Sequence, residues 1–160
     1  ALVLAQLVRL GRCVSLCEIG VSYGFSTLHL AAATRECGGH VHGFEMSDKK
    51  VAAATAHLSE AGLIDTVTIH PGDARETVAA INPPRPYDFV FIDATKAQSF
   101  EYLNAVWPKL APSAVLVTDN TTTHRDELAA FIAHLRSLPG VTSCDVPVGN
   151  GFELSLVRRQ

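Results

Sequence analysis

Asp93 and Lys96 stand three residues apart, directly after the apolar run Tyr87-Asp-Phe-Val-Phe-Ile92. A carboxylate and an amine at such a spot can hold a cation or move a proton. Asp119-Asn120 follows a second apolar run, Ala114 to Thr118, and adds a carboxylate and an amide oxygen. Two carboxylates and an amide oxygen, with no Cys or His among them, suit a hard divalent cation. Mg2+ is the expected ion, with Mn2+ or Ca2+ as substitutes and water and substrate oxygens completing about six ligands. Beside that cation the ammonium form of Lys96 is disfavoured, as a general base requires. An exposed lysine at a helix start is the competing reading of Lys96.

A second set of residues suits a nucleotide. Glu18-x-Gly20-x-x-x-Gly24 lies where an apolar run turns into a helical one. Glycines there let a ligand approach the backbone, and the helix N-terminus offers unpaired N–H groups. Only two glycines are present, so the spacing is not that of a dinucleotide fingerprint. Glu18 can accept hydrogen bonds from a cationic amine, which a pyrophosphate does not carry. Glu45 comes 21 residues after Gly24, where a carboxylate can take both ribose hydroxyls. Asp73-Ala74 is placed to meet an adenine ring. Taken singly, Gly20 and Gly24 also read as turn residues and Glu45 as a surface acid. Their order along the chain favours the nucleotide site.

The elements that must position these residues alternate. A helix over 2–10 precedes a strand over 14–19, and a turn leads into a helix over 28–34 closed by Gly38-Gly39. A strand over 40–44 ends at Glu45, and Ser47-Asp48 caps a helix over 51–61. A third strand, 67–70, precedes a helix over 74–81. Tyr87–Asp93 reads as a strand buried on both faces. Residues 100–110 repeat apolar positions at helical spacing, and Pro112-Ser113 turns the chain into a fifth strand, 114–118. Thr121-Thr122-Thr123 caps a helix over 124–138. Strands over 141–146 and 152–157 close the chain as a hairpin. The pattern predicts an α/β, Rossmann-like doubly wound sheet, mostly parallel, with an antiparallel C-terminal strand. Strands four and five should be neighbours, about 4.8 Å apart, so Asp93 and Asp119-Asn120 should converge.

At 160 residues the chain is expected to be a single domain with a substantial core. Its net charge of -3 argues against nucleic acid as the main partner. Cys13, Cys17, Cys37 and Cys144 form no CxxC pair or metal cluster. No leader or membrane-length apolar run is present, and a cytoplasmic, reduced protein is expected. The first residue is Ala1, so a further N-terminal segment is expected ahead of it.

The ordered set resembles a known family. Cys17-Glu-Ile-Gly-Val-Ser-Tyr-Gly-Phe-Ser-Thr-Leu28, Gly43-Phe-Glu-Met46, Gly72-Asp-Ala74 and Phe91-Ile-Asp-Ala-Thr-Lys96 are similar to successive motifs of the cation-dependent O-methyltransferases. These class I enzymes include the catechol and caffeoyl-coenzyme A types and many bacterial relatives. The likeness runs from about residue 10 to the end. It implies S-adenosylmethionine as methyl donor. By that resemblance Glu18, Gly20, Gly24 and Ser26 serve the methionine end, Glu45 and Met46 the ribose side, and Asp73 and Ala74 the adenine side. It likewise implies that Asp93, Asp119 and Asn120 hold the cation, with Asp93 also at the cofactor, and that Lys96 is the base.

Methyl transfer from a sulfonium is an in-line displacement, and a neutral phenol is a poor nucleophile. A cation bound to two adjacent oxygens lowers the phenol's pKa and fixes its position. Asn150-Gly-Phe-Glu153 resembles the catechol-type Asp-Gly-Leu-Glu, whose Glu binds a catechol hydroxyl. Glu153 is thus a candidate substrate ligand, beside Lys96 and Asn120, and a solvent-facing strand acid is the alternative. His124 could touch substrate or metal, though a helix-capping surface position suits it better. Three departures stand out. Thr95 replaces the second Asp of the Asp-Ala-Asp-Lys form, the connection after Asn120 is short, and the segment before Ala1, which in relatives supplies lid and dimer contacts, is not in this sequence.

The expected function is therefore an S-adenosylmethionine- and divalent-cation-dependent O-methyltransferase acting on a catechol-like or phenolic small molecule, possible as a homodimer. Two alternatives remain open at this point. One is a non-catalytic cofactor-binding or dimer-partner relative. The other is a nicotinamide-dependent oxidoreductase, against which the missing third glycine and Glu18 both argue.

Overall fold

A computed structural model describes residues 1–159. In chain order the elements are α1 (Leu2–Gly11), β1 (Ser15–Ile19), α2 (Phe25–Glu36), β2 (His40–Glu45), α3 (Asp48–Glu60), β3 (Val67–Pro71), α4 (Ala74–Ala80), β4 (Tyr87–Ile92), α5 (Ser99–Val106), β5 (Leu110–Asp119), α6 (Arg125–Ser137), β6 (Val141–Val146) and β7 (Phe152–Arg158). They build one seven-stranded sheet in the order β3-β2-β1-β4-β5-β7-β6. The pairs among β1 to β5 are parallel. β7 pairs antiparallel with both β5 and β6.

Strand β4 shows why the sequence takes this form. Its residues are almost all apolar because both of its faces are covered. Phe89 and Phe91 pack with Leu4 and Val8 of α1, Leu30 of α2 and Leu58 of α3. Val90 and Ile92, pointing the other way, pack with Val78 of α4, Leu103 of α5 and Phe131 of α6. Helices α1–α3 thus cover one face and α4–α6 the other. The chain winds outward from β1 to β3, then returns to lay β4 on the other side of β1. That reversal opens a crevice at the carboxyl ends of β1 and β4. At the opposite end, the Asp88 carboxylate accepts from the N–H groups of Val14 (2.9 Å) and Ser15 (3.0 Å), fixing where β1 starts against β4.

Four boundaries differ from the expectations. The fifth strand starts at Leu110, not Ala114, and the helix expected to reach residue 110 ends at Val106 in a short 3-10 turn, Trp107–Lys109. Tyr87 pairs with Leu110 but Phe89 with Val115, so the ladder shifts register there. Pro112 lies inside that shift, where its missing N–H costs no ladder bond. The threonine triplet does not cap α6: His124 occupies the N-cap position without a side-chain cap bond. Helix α2 begins at Phe25, a turn earlier than its apolar run suggests. Among the described residues no helix is long and apolar enough to cross a membrane.

Candidate functional site

The site begins where β1 and β4 end together. The Asp93 N–H donates to the Ile19 carbonyl at 2.9 Å. Gly20, at φ 99°, lies so close to the Asp93 carbonyl that an added Cβ would overlap it. Backbone contact between two strand ends therefore demands this glycine, whatever binds there. Gly24, at φ 87°, is the N-cap of α2 and faces Ala54 of α3. It closes the turn by packing helix on helix and lines neither cavity described below.

Glu18 points from β1 towards α2 and is fully buried. Its Oε1 accepts from the Ser26 hydroxyl at 2.5 Å, and its Oε2 has no partner. Burial pushes the carboxyl up to about 7, against the opposing pull of the Ser26 hydrogen bond. A buried carboxylate with one free oxygen suits an ammonium or another strong donor, although Glu18 itself lines neither cavity described below.

Two cavities, each of about 430 Å3, open along the carboxyl ends of the strands. Both are lined by Gly20, Ser22 and Asp93, so they meet there. The first carries Ser26 and Asp119 with an apolar wall that includes Leu4, Phe25 and Val148. The second carries Glu45, Met46, Asp73, Ala74 and Tyr102. Glu45 accepts from the N–H groups of Ser22 (2.8 Å) and Ser47 (3.0 Å), one on each carboxylate oxygen. It thereby fixes the β1–α2 loop, where Ser22 sits at φ 52°. Asp73 is the N-cap of α4 and accepts from the Arg75 N–H and from its guanidinium, which hold its pKa below the usual carboxylate range. Met46 is largely exposed at the rim.

The charged cluster lies at the junction of the cavities. Asp93 Oδ1 accepts from Lys96 Nζ at 2.8 Å and from Asn120 Nδ2 at 2.6 Å. The Lys96 side chain is only 9% exposed. Asp119 Oδ1 accepts from the Asn120 N–H at 2.9 Å. Burial raises the Asp119 pKa, that hydrogen bond lowers it, and nearby Asp93 raises it further. Asn120 takes up φ 69°, a conformation Asn tolerates better than most residues. Strand adjacency accounts for the convergence: Ile92 is the register partner of Thr118, so the residues that follow each strand emerge side by side.

These donors are of the kind a hard divalent cation takes. Asp93 and Asp119 each keep an oxygen outside the hydrogen bonds just described. The Asn120 amide as placed turns its NH2, not its oxygen, towards Asp93, so a cation would require that amide to turn over. Among the described residues no group of three or more His, Cys, Asp or Glu is arranged to hold a metal, which leaves this mixed Asp/Asn set.

Glu153 and His124 are not brought to the cluster. Glu153 lies on β7 opposite Thr118, is 1% exposed, and takes the Arg136 guanidinium of α6 on both oxygens at 2.7 Å, with the Ser143 hydroxyl also on Oε1. It serves the seam between hairpin and α6. His124 is exposed and bonds Glu127 of its own helix at 2.8 Å. Three lining residues escaped the sequence reading: Ser22 and Tyr102, whose hydroxyl donates to Gln98 at 2.6 Å, and Asn150. In the sequence Asn150 figures only as the first residue of the motif that points to Glu153.

A family model described as a methyltransferase domain matches residues 17–121. A catechol O-methyltransferase of Mycobacterium tuberculosis is 33% identical over 157 residues, covering 88% of this chain and 70% of the relative. The O-methyltransferase TomG of Streptomyces achromogenes, involved in tomaymycin synthesis and solved in complex with SAM, superposes with a TM-score of 0.89 at 28% identity, over 98% of this chain and 78% of that one. An O-methyltransferase from Bacillus cereus in complex with SAH gives 0.90 at 26% identity, over 98% and 79%.

Proposed function

This chain belongs to the methyltransferase-domain family, among O-methyltransferases, and from that membership we propose that it moves the methyl group of S-adenosylmethionine to a hydroxyl of a catechol-like or phenolic small molecule with help from a divalent cation. The observation that carries the reading is the meeting of Asp93, Lys96, Asp119 and Asn120 where the two cavities join. Membership in this family sets the nicotinamide reading aside.

In this proposal the second cavity takes the nucleoside, with Glu45 at the ribose hydroxyls and Asp73 and Ala74 beside the base. Gly20 and Ser26 line the passage towards the methionine end, and the free Glu18 oxygen receives its ammonium. The first cavity takes the acceptor, whose ring packs against Phe25, Leu4 and Val148. S-adenosylmethionine would supply the electrophilic methyl, and Asp93, Asp119 and Asn120 would hold a cation whose chemistry there would be to acidify the acceptor hydroxyl. Lys96, beside Asp93, would take the hydroxyl proton in its neutral amine form.

The test is methylation of a panel of catechols and simple phenols with S-adenosylmethionine, with Mg2+ and with excess EDTA. Turnover of a vicinal diol that disappears with EDTA and returns with Mg2+ is expected. Turnover indifferent to EDTA overturns the cation part, and S-adenosylhomocysteine binding without turnover of any acceptor points to the non-catalytic relative.

A further inference from the structure

Asn150 stands where the catechol-type motif has Asp, and it faces Asn120. Its Nδ2 donates to Asn120 Oδ1 at 3.3 Å. The backbone holds the two residues in place: the Thr122 N–H donates to the Asn150 carbonyl (2.9 Å) and the Thr121 N–H to the Gly151 carbonyl (3.1 Å). Gly149 and Gly151, at φ 63° and 75°, bend the chain on either side. An added Cβ at Gly151 would overlap the Thr122 hydroxyl, so the turn cannot slide away from the strand end. Asn150 also lines the same cavity as Asp93 and Asp119.

Resting on the cation reading above, we infer that Asn150 is a positioning residue that governs which end of the Asn120 amide faces Asp93. An amide carries both a donor and an acceptor. As a donor, Asn150 holds the Asn120 oxygen and leaves the Asn120 NH2 on Asp93, the arrangement seen here. With its own amide reversed, Asn150 accepts from that NH2 and leaves the Asn120 oxygen towards the carboxylates, where a cation needs it. A carboxylate at position 150 can only accept, and so favours the second arrangement alone. The amide at position 150 therefore lets Asn120 serve with or without a bound cation, whereas a carboxylate there would favour the cation-bound arrangement.

The test is Mn2+ binding, read by paramagnetic resonance, to the wild-type protein, Asn150→Asp and Asn150→Leu, together with NMR of the Asn120 side-chain NH2 in the absence of metal. One hydrogen bond gained or lost corresponds to about fivefold in affinity. Asn150→Asp should bind Mn2+ at least that much more tightly, and Asn150→Leu, which removes one hydrogen bond from each of the two arrangements, should bind it about as well as wild type. Without metal, Asn150→Leu should shift the Asn120 NH2 resonances while those of unrelated Asn residues stay put. Unchanged Mn2+ affinity in Asn150→Asp overturns the inference. No Mn2+ binding to the wild type overturns the cation reading instead. In that event unchanged Asn120 resonances in Asn150→Leu also remove the positioning role.

Discussion

The Lys96 ammonium lies 2.8 Å from Asp93 Oδ1 with its side chain 9% exposed. That pairing ties the proposed base to the proposed cation ligand across one turn of chain. Asp93 in turn lines both cavities at the strand ends.

Replacing Lys96 with Met keeps most of the apolar stem and removes the amine. Loss of a general base costs about 10^2- to 10^4-fold in rate, so kcat on a responsive catechol should fall within that range. S-adenosylhomocysteine affinity, measured by calorimetry, should stay within twofold. A kcat that survives would assign proton removal to solvent.

If Glu18 receives the cofactor's ammonium as proposed, its titration should link cofactor binding to pH. Its folded pKa of about 7 lies above the ordinary 4.5, burial being the main cause. The folded state therefore binds the proton more tightly than the unfolded chain, and stability falls as pH rises from about 4.5 to about 7. A displacement of that size is worth roughly 3 kcal/mol. Glu18→Gln should thus melt higher than wild type at pH 8, with the gain vanishing near pH 4.5. S-adenosylhomocysteine, bringing an ammonium that prefers the ionised carboxylate, should bind wild type more weakly as pH drops below 7. Calorimetry in buffers of different ionisation enthalpy should detect the released proton, and Glu18→Gln should abolish that release.

The alternation of buried runs made the sheet legible in the sequence, because a strand covered on both faces, such as β4, must be almost wholly apolar. The convergence at its end was equally legible, since Asp93, Asp119 and Asn120 directly follow such runs and adjacent parallel strands bring their ends together. What stayed hidden depends on which way a side chain faces. Glu153 lies in the hairpin motif that suggested a substrate ligand, yet the period-two alternation of β7 turns it towards Arg136 of α6. Gly20 was legible as a special glycine, but its partner is the Asp93 backbone. Pro112 signalled a turn and instead sits in a register shift within a longer strand. Nothing in local sequence distinguishes those outcomes, because each is set by an element distant in the chain.

The Glu153–Arg136 pair offers a separate test of that correction. Glu153 is 1% exposed while the Arg136 side chain is 47% exposed, so removing the guanidinium leaves a buried carboxylate unpaired at about 2–3 kcal/mol, below the cost for a fully buried pair. Arg136→Met should lower Tm by about 4–12 °C at the 2–4 °C per kcal/mol of a domain this size. Arg136→Met with Glu153→Leu should regain most of the loss. The double variant should leave the acceptor KM within about twofold, the error of such measurements being smaller than one hydrogen bond's worth. A tenfold rise in KM there, with stability restored, would return Glu153 to the substrate.

His42 and His70 make the last prediction, at the sheet edge away from the cavities. His42 Nδ1 lies 3.0 Å from His70 Nε2, with the rings nearly parallel at 13°. Burial first, then the neighbouring His40 and His70, lowers the His42 pKa to about 4, and burial lowers that of His70 as well. Such a hydrogen bond needs one ring neutral as acceptor, and two protonated rings would repel. The unfolded chain takes up protons near the ordinary 6.5 while the folded one resists. Stability is therefore complete above about pH 6.5 and declines as pH falls from there towards 4. His42→Phe removes this proton uptake and keeps an aromatic ring beside Tyr87, whose ring centroid is 5.9 Å from that of His42. Thermal melts between pH 7 and 4 should show a shallower decline for His42→Phe than for wild type. Parallel declines would place the acid sensitivity elsewhere, and a loss at pH 7 alone would reveal a packing defect instead.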